Sequence, residues 1–346
     1  MKFLFPLSVL IIVLLSTPAI ADTLVVLNKA EATASLIDIE TGRVAATVPT
    51  GQGPHEAATS GDGRYVLATN YGTAQAPGRS LTLIDVQSMS AIKTIDLGEY
   101  GKPHGVRWMK DGKRAIVTAE ANKVLLVIDV FEGKVKSAIP TEQEVSHMVV
   151  ATPDEKFAFV ANITSGTVTV IDLAGGKLVQ QIATGKGAEG IDITPDGEQV
   201  WITNRAEDTV CVIDPKTLSI ISTLPSKSFP IRARATPNGK HVLVSNARSG
   251  DIAVFETAGK KEIRRIKTPL EAADTEGRLF SSQFGNSSVP IGIVIHPDGK
   301  KAYVANANAD AISVLDLESW TITGKLKAGK EPDGMAYSPV KLNPPR

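Results

Sequence analysis

Cysteine is nearly absent from this chain. Cys211 is the only one among 346 residues, so no intrachain disulfide, no c-type haem attachment and no cysteine-based metal motif can form. Charge of one sign is lacking too. The 37 Lys and Arg balance 37 Asp and Glu, which argues against nucleic acid or an anionic membrane as partner. Aromatic residues make up 5%, and Trp108, Trp201 and Trp320 fall in strand-like runs, so no platform for stacking bases is evident. A Gly-rich phosphate loop and a Gly-x-Ser-x-Gly elbow are missing, and no helix is predicted beyond residue 21. The one long apolar run is Phe3–Leu15. Lys2 precedes it and the small-x-small site Ala19-Ile20-Ala21 follows, so residues 1–21 read as a secretory signal peptide. The expectation is a periplasmic or secreted protein beginning at Asp22, with no integral membrane span after cleavage. Cys211, in Thr209-Val-Cys-Val-Ile-Asp214, reads as a small buried strand residue.

What the chain has in abundance is repetition. The copies begin at Pro54, Pro103, Ser146, Ala188, Pro230, Pro290 and Pro332, at spacings of 49, 43, 42, 42, 60 and 42 residues. The cleanest, from Pro290, predicts strands at Ile291–Ile295, Ala302–Asn306, Ile312–Asp316 and Thr321–Lys327, split by Asp298-Gly299 and other turn residues. Four short strands per copy, at about 42 residues, are the signature of a propeller blade. The last copy stops after one strand. Thr23–Asn28, Ala34–Asp38 and Arg43–Val48 supply the other three from the opposite end of the chain. The predicted fold is therefore all-β: a seven-bladed β-propeller of four-stranded blades filling 22–346 as one domain. N-terminal strands pairing with a C-terminal strand would close the ring and hide its edges.

Two insertions depart from the spacing, at about 71–79 and 268–289. Both fall in connections that open on one face of such a ring, where long loops tend to carry function. Phe280 and Phe284 within the second suggest a packed lid or a partner contact. The recurring Asn70, Asn162, Asn204, Asn246 and Asn306 read as turn caps.

Aligned one residue past the start of each copy stand His55, His104, His147, Glu189, Ile231, Ile291 and Asp333. Three of the five histidines thus share one register. Blade seven adjoins blade one, so Asp333, His55, His104, His147 and Glu189 form a contiguous arc at the channel mouth. Imidazoles and carboxylates from adjacent elements suit one divalent transition metal. Glu120, read as standing where other copies have Asn, is a weaker ligand candidate. The other reading of this arc is structural, each His bonding a neighbouring blade. Arg232, with Glu56, would place charge in the channel for an anionic ligand, or form an inter-blade salt bridge. Arg107 and Arg234 lie in related positions.

The repeats PDGKKAYVANANADAISVLDLES, ATPDEKFAFVANITSGTVTVIDLAGGKLV and PDGEQVWITNRAEDTVCVIDPKTLSII resemble the YVTN-type β-propeller family over residues 23–339. The resemblance implies the propeller fold. Relatives of this look include exported proteins of unknown role, lactonases, a haem-binding propeller of a periplasmic nitrite reductase, and streptogramin lyases with a metal-binding face. Two functions follow as expectations. One is an exported scaffold that binds a small ligand or protein partner on its insertion-bearing face. The other is a metal-dependent lyase, hydrolase or oxidoreductase subunit using the His/Glu arc.

Overall fold

The computed structural model describes residues 22–269 and 281–342. The expected leader at 1–21, the middle of the second insertion and Phe280 lie outside the described residues. Seven four-stranded antiparallel sheets form a ring; six run in sequence order from the channel outwards, and the seventh has the C-terminal strand innermost, followed by the three N-terminal ones. The copy from Pro290 builds strands Pro290–Ile295, Lys301–Asn306, Ala311–Asp316 and Thr321–Lys327, each within a residue of expectation. Its third strand is buried almost throughout, whereas the outermost exposes Thr321, Thr323 and Lys325. Inner strands are covered on both faces by neighbouring blades, so their sequences read as continuous apolar runs.

Ring closure follows the expected exchange. Thr23–Asn28 pairs with Thr33–Asp38 on one side and with the C-terminal strand Pro332–Ser338 on the other, Val25 opposite Ala336. The core lies between blades rather than within them. Leu67, Leu81 and Leu83 of the first blade pack on Val117, Leu126 and Ile128 of the second, all fully or almost fully buried. Each such side chain contributes about 1.5–3 kcal/mol by leaving water. Cys211 is fully buried in its strand. In the Asp-Gly turns glycine takes the left-handed conformation, as at Gly63 (φ +78°). Glu155 takes φ +55° in the one full copy that lacks this glycine.

Three features differ from expectation. The first insertion is not a loop: it lengthens two strands, Tyr65–Gly72 and Pro77–Asp85, into a hairpin with Gly72 opposite Pro77. Helical turns also occur, as 3-10 turns at Lys29–Glu31, Glu120–Asn122 and Ala307–Ala309 and a short α-helix at Ser281–Phe284. The last places Phe284 edge-on to Phe229, ring centroids 5.0 Å apart. Finally, the recurring asparagines do more than cap. Each is buried at the end of a second strand and bonds side chains of the third, as Asn162 Nδ2 does to Thr167 and Thr169 (3.1 and 2.9 Å). Among the described residues no helix is long and apolar enough to cross a membrane.

Candidate metal centre

Each inner strand slips register near its start. Pro54 pairs with Asn70, but the next pair is Ala57 with Ala68. The same slip follows Pro103, Ser146, Ala188 and Pro290. The second and third residues of these blades therefore leave the ladder, and such a bulge re-aims side chains. The freed amides of Glu56, Gly105 and Gly190 donate to Thr69, Thr118 and Thr203 hydroxyls at 2.8–3.0 Å, so the bulge leaves no orphan donor there. Glycine at the third position lets adjacent inner strands touch. A Cβ at Gly105 would lie 2.6 Å from the His147 carbonyl oxygen, and one at Gly334 2.2 Å from that of His55. Glu56, Met148 and Arg232 are the side chains that stand at this position instead.

The second-position residues meet as a row of imidazoles. His104 lies between the other two, with ring centroids 4.1 Å from His55 and 3.4 Å from His147, the latter stacked at 28°. His104 is fully buried, and neither of its ring nitrogens has a hydrogen-bond partner. Carboxylates surround the row. Glu120 bonds Nδ1 of His147 and accepts from the Tyr71 hydroxyl at 2.6 Å. Glu189 lies 3.3 Å from Nε2 of His147 and accepts from Arg205 (2.5 Å) and Arg232 (3.2 Å). Asp333 lies 3.1 Å from Nδ1 of His55 and accepts from Lys29 at 3.3 Å. The Lys29 ammonium also stands 2.7 Å from Nε2 of His55.

Two overlapping sets of ligand atoms converge to within 4.8 Å of one another: His104, Glu120 and His147, and His55, Glu56 and His104. Glu120 and Glu56 are thus the carboxylates that share a set with His104, whereas Glu189 and Asp333 stand 3.3 and 3.1 Å from His147 and His55. Those two brace His147 and His55, the placement that orients a ligating imidazole. Ile231 and Ile291 occupy the same register in the fifth and sixth blades and are buried among apolar neighbours.

Beneath the histidines Arg232 crosses the channel. Its Nε and Nη2 donate to Glu56 Oε1 at 3.0 and 2.6 Å, and its Nη1 to Glu189. The salt bridge joins the fifth blade to the first and floors the site. Burial, aided by Lys29 and Arg232, holds His55 well below its ordinary 6.5, and burial with the adjacent imidazoles does the same to His104. Both are thereby neutral, with lone pairs available. For His147 burial also opposes protonation, but Glu120 and Glu189 outweigh it and shift it upward. Burial alone would raise Glu189, yet Arg205, His147 and Arg232 bring it down to about 2. Burial dominates at Asp333 and raises it in spite of Lys29 and Arg232.

The register of Glu120 needs correcting. Pro103 pairs with Ala119, whereas Pro54 pairs with Asn70 and Ala188 with Asn204. Ala119 therefore holds the asparagine place, and Glu120 follows it. That next place yields Lys29, Tyr71, Glu120 and Arg205 in four blades, a second ring of polar groups above the first. Counting one residue past each asparagine would have exposed Lys29, Tyr71 and Arg205 in the sequence. A cavity of about 600 Å³ opens beside this ring, bounded by Lys29, Tyr71, Lys102 and the first-blade hairpin.

The family described as YNCE-like beta-propeller matches residues 156–282. No curated protein matches the chain. Among solved structures, Kuenenia stuttgartiensis hydrazine synthase superposes with a TM-score of 0.68 at 19% identity, over 83% of this chain and 90% of that one. A functionally unknown protein from Desulfotomaculum acetoxidans DSM 771 superposes with a TM-score of 0.74 at 15% identity, over 92% and 99%. At such identities these likenesses speak to fold alone. The matched family and the ring of seven four-stranded blades make this chain a seven-bladed β-propeller and fit a propeller family of the YVTN type.

Proposed function

We propose that this propeller is a ligand-binding scaffold whose recognition element is one divalent transition metal at the channel mouth. His104, His147 and Glu120 are the primary ligands, and His55 is the fourth. The observation that carries the reading is His104. An imidazole with no exposed surface and two unpartnered nitrogens is costly unless something accepts its lone pair. Zinc-type ligands at about 2.0–2.2 Å from the ion stand roughly 3–3.5 Å from one another. The His104, Glu120 and His147 atoms, within 4.8 Å, need only small side-chain movements to reach that spacing. At His55 the ammonium of Lys29 must withdraw from Nε2, so this ligand joins last.

Glu189 on His147, Asp333 on His55 and Tyr71 on Glu120 are the outer partners that fix ligand orientation. The cavity beside Tyr71 and Lys29 gives an incoming ligand access from the insertion-bearing face. Metal analysis of protein purified from its native source without chelators should find about one transition metal per chain. A His104→Ala/His147→Ala variant that still melts cooperatively should retain less than a tenth of it. Metal-free native protein, or full metal content in the folded double variant, would sink the proposal.

A further inference from the structure

The opposite end of the channel carries a separate constellation. Two arginines, Arg107 of the second blade and Arg234 of the fifth, reach one carboxylate, Asp192 of the fourth. Arg107 Nη2 donates to Asp192 Oδ1 at 3.4 Å, and Arg234 Nη1 lies 3.7 Å from Asp192 Oδ2. Asp192 also accepts the Ala235 amide at 2.9 Å, so part of its capacity is already used. Each arginine is anchored from behind, Arg107 Nε to the Val149 carbonyl (3.3 Å) and Arg234 Nε to that of Ile293 (3.1 Å). Both guanidinium side chains are about three-quarters buried, at 28% and 27% exposure. Two cations thus share a single anion. The remaining acidic group facing this compartment, Glu56, is committed to Arg232 above.

The two arginines, though not Asp192 itself, border a cavity of about 300 Å³ that opens on the face away from the histidines. Its other walls include Trp108, Val294, Ile295, Met335 and Tyr337, and the Thr59 hydroxyl among them donates to the Tyr337 carbonyl (2.7 Å). The Trp108 indole N–H is occupied by the Ala58 carbonyl (2.9 Å), so the ring offers surface rather than a donor. Below the floor the channel narrows to a void of about 10 Å³ among Met148, Ile191, Arg232 and Met335, so the two ends are not connected for anything larger than a water.

We infer that this lower mouth is a second binding site, one that takes a small organic anion with a carboxylate head and a compact apolar body. Forked guanidinium donors match the planar, bidentate acceptor geometry of a carboxylate. The arginines are held in place by the backbone before a ligand arrives, so little side-chain entropy is lost on binding. The cavity sits at the small end of ligand pockets, which suits a single ring or a short branched chain. A guanidinium stays charged in a protein, and among the described residues Asp192 is the one carboxylate within ion-pair distance of either arginine. This site is independent of the metal reading and shares no ligand with it.

The test is calorimetric or NMR titration of the full chain at low ionic strength with benzoate, phenyl phosphate and benzyl alcohol. Benzoate should bind saturably at one site. Phenyl phosphate should bind within tenfold of it if charge alone selects, and more weakly if planarity does; benzyl alcohol should not saturate. Arg107→Met or Arg234→Met should weaken benzoate at least tenfold. Asp192→Asn, which removes the competing carboxylate at constant shape, should tighten it. If an arginine variant fails to melt like the parent, the Asp192→Asn result decides, since tighter binding has no folding explanation. Absence of saturable benzoate binding, benzyl alcohol binding as tightly as benzoate, or unchanged or weaker binding in Asp192→Asn would overturn the inference. His104→Ala should leave benzoate affinity unchanged, which separates this site from the one above.

Discussion

The two ends of the channel are built from the same seven strands, yet they gather different sets of charged groups. At the upper mouth Glu56, Glu120, Glu189 and Asp333 outnumber Lys29, Arg205 and Arg232, around three histidines of which two are held neutral. At the lower mouth Arg107 and Arg234 share Asp192 alone. The first set offers neutral imidazoles beside carboxylates, and the second an excess of cationic groups. Strand geometry explains how the ends stay distinct. The three histidines, Glu56, Glu189 and Asp333 sit on residues released from the ladder by the bulge, so consecutive residues such as His55 and Glu56 can both reach the axis. Lys29, Glu120 and Arg205 come instead from the turns that follow second strands. The lower groups sit beyond the bulge, where regular alternation returns and only every second residue faces inward. Between them the Arg232–Glu56 bridge is the partition.

The strongest way to break this division is Arg232→Met. It strands Glu56 and leaves Glu189 with Arg205 and His147, and loss of one member of a buried ionic network costs about 3–5 kcal/mol. Denaturant unfolding should show that loss, and the metal content of any folded fraction should change with it. Preserved stability would mean that the bridge is no partition. A smaller effect should follow Gly105→Ala. Its methyl meets the His147 carbonyl, and overpacking of this kind costs about 1–3 kcal/mol. Because Gly105 adjoins His104 while Arg107 lies past the bulge, the variant should loosen metal more than it loosens benzoate. An equal effect at both ends would show that they are not mechanically separate.

The smallest expected effect is in pH dependence. His104 is held below 6.5 in the folded chain, so the unfolded chain takes up its proton first as pH falls. Its contribution therefore costs stability progressively below pH 6.5, by about 1.4 kcal/mol per pH unit until the folded-state value is reached. In metal-free protein, the stability difference between wild type and His104→Phe should shift against the wild type between pH 6.5 and 5. A pH-independent difference would mean that His104 is solvated.

Much of this was legible beforehand because the repeat is local. Strand limits such as Thr321–Lys327 follow from side-chain alternation and turn residues within a few positions. Copies aligned on one another then put His55, His104 and His147 in a single row. The same comparison placed Glu120 one position early, although Ala119 follows Pro103 at the same separation as Asn70 follows Pro54, so counting along the copy already puts Ala119 at the asparagine place. Lys29 and Tyr71 were overlooked because they follow conserved-looking turn residues in copies where nothing else marks them. Arg107 and Arg234 were visible as charges, but not as partners of Asp192, since three separate blades bring them together.

The sequence by itself determined the number of blades, the exchange that closes the ring and the row in which the histidines stand. Those properties depend on period and pattern, and both are written along the chain. Tertiary structure alone decided that Arg232 reaches across to Glu56, 176 residues away, and that His104 stacks between two imidazoles without a hydrogen-bond partner. Closing a ring of seven bulged strands fixes which side chains meet at the axis, and no local rule carries that information.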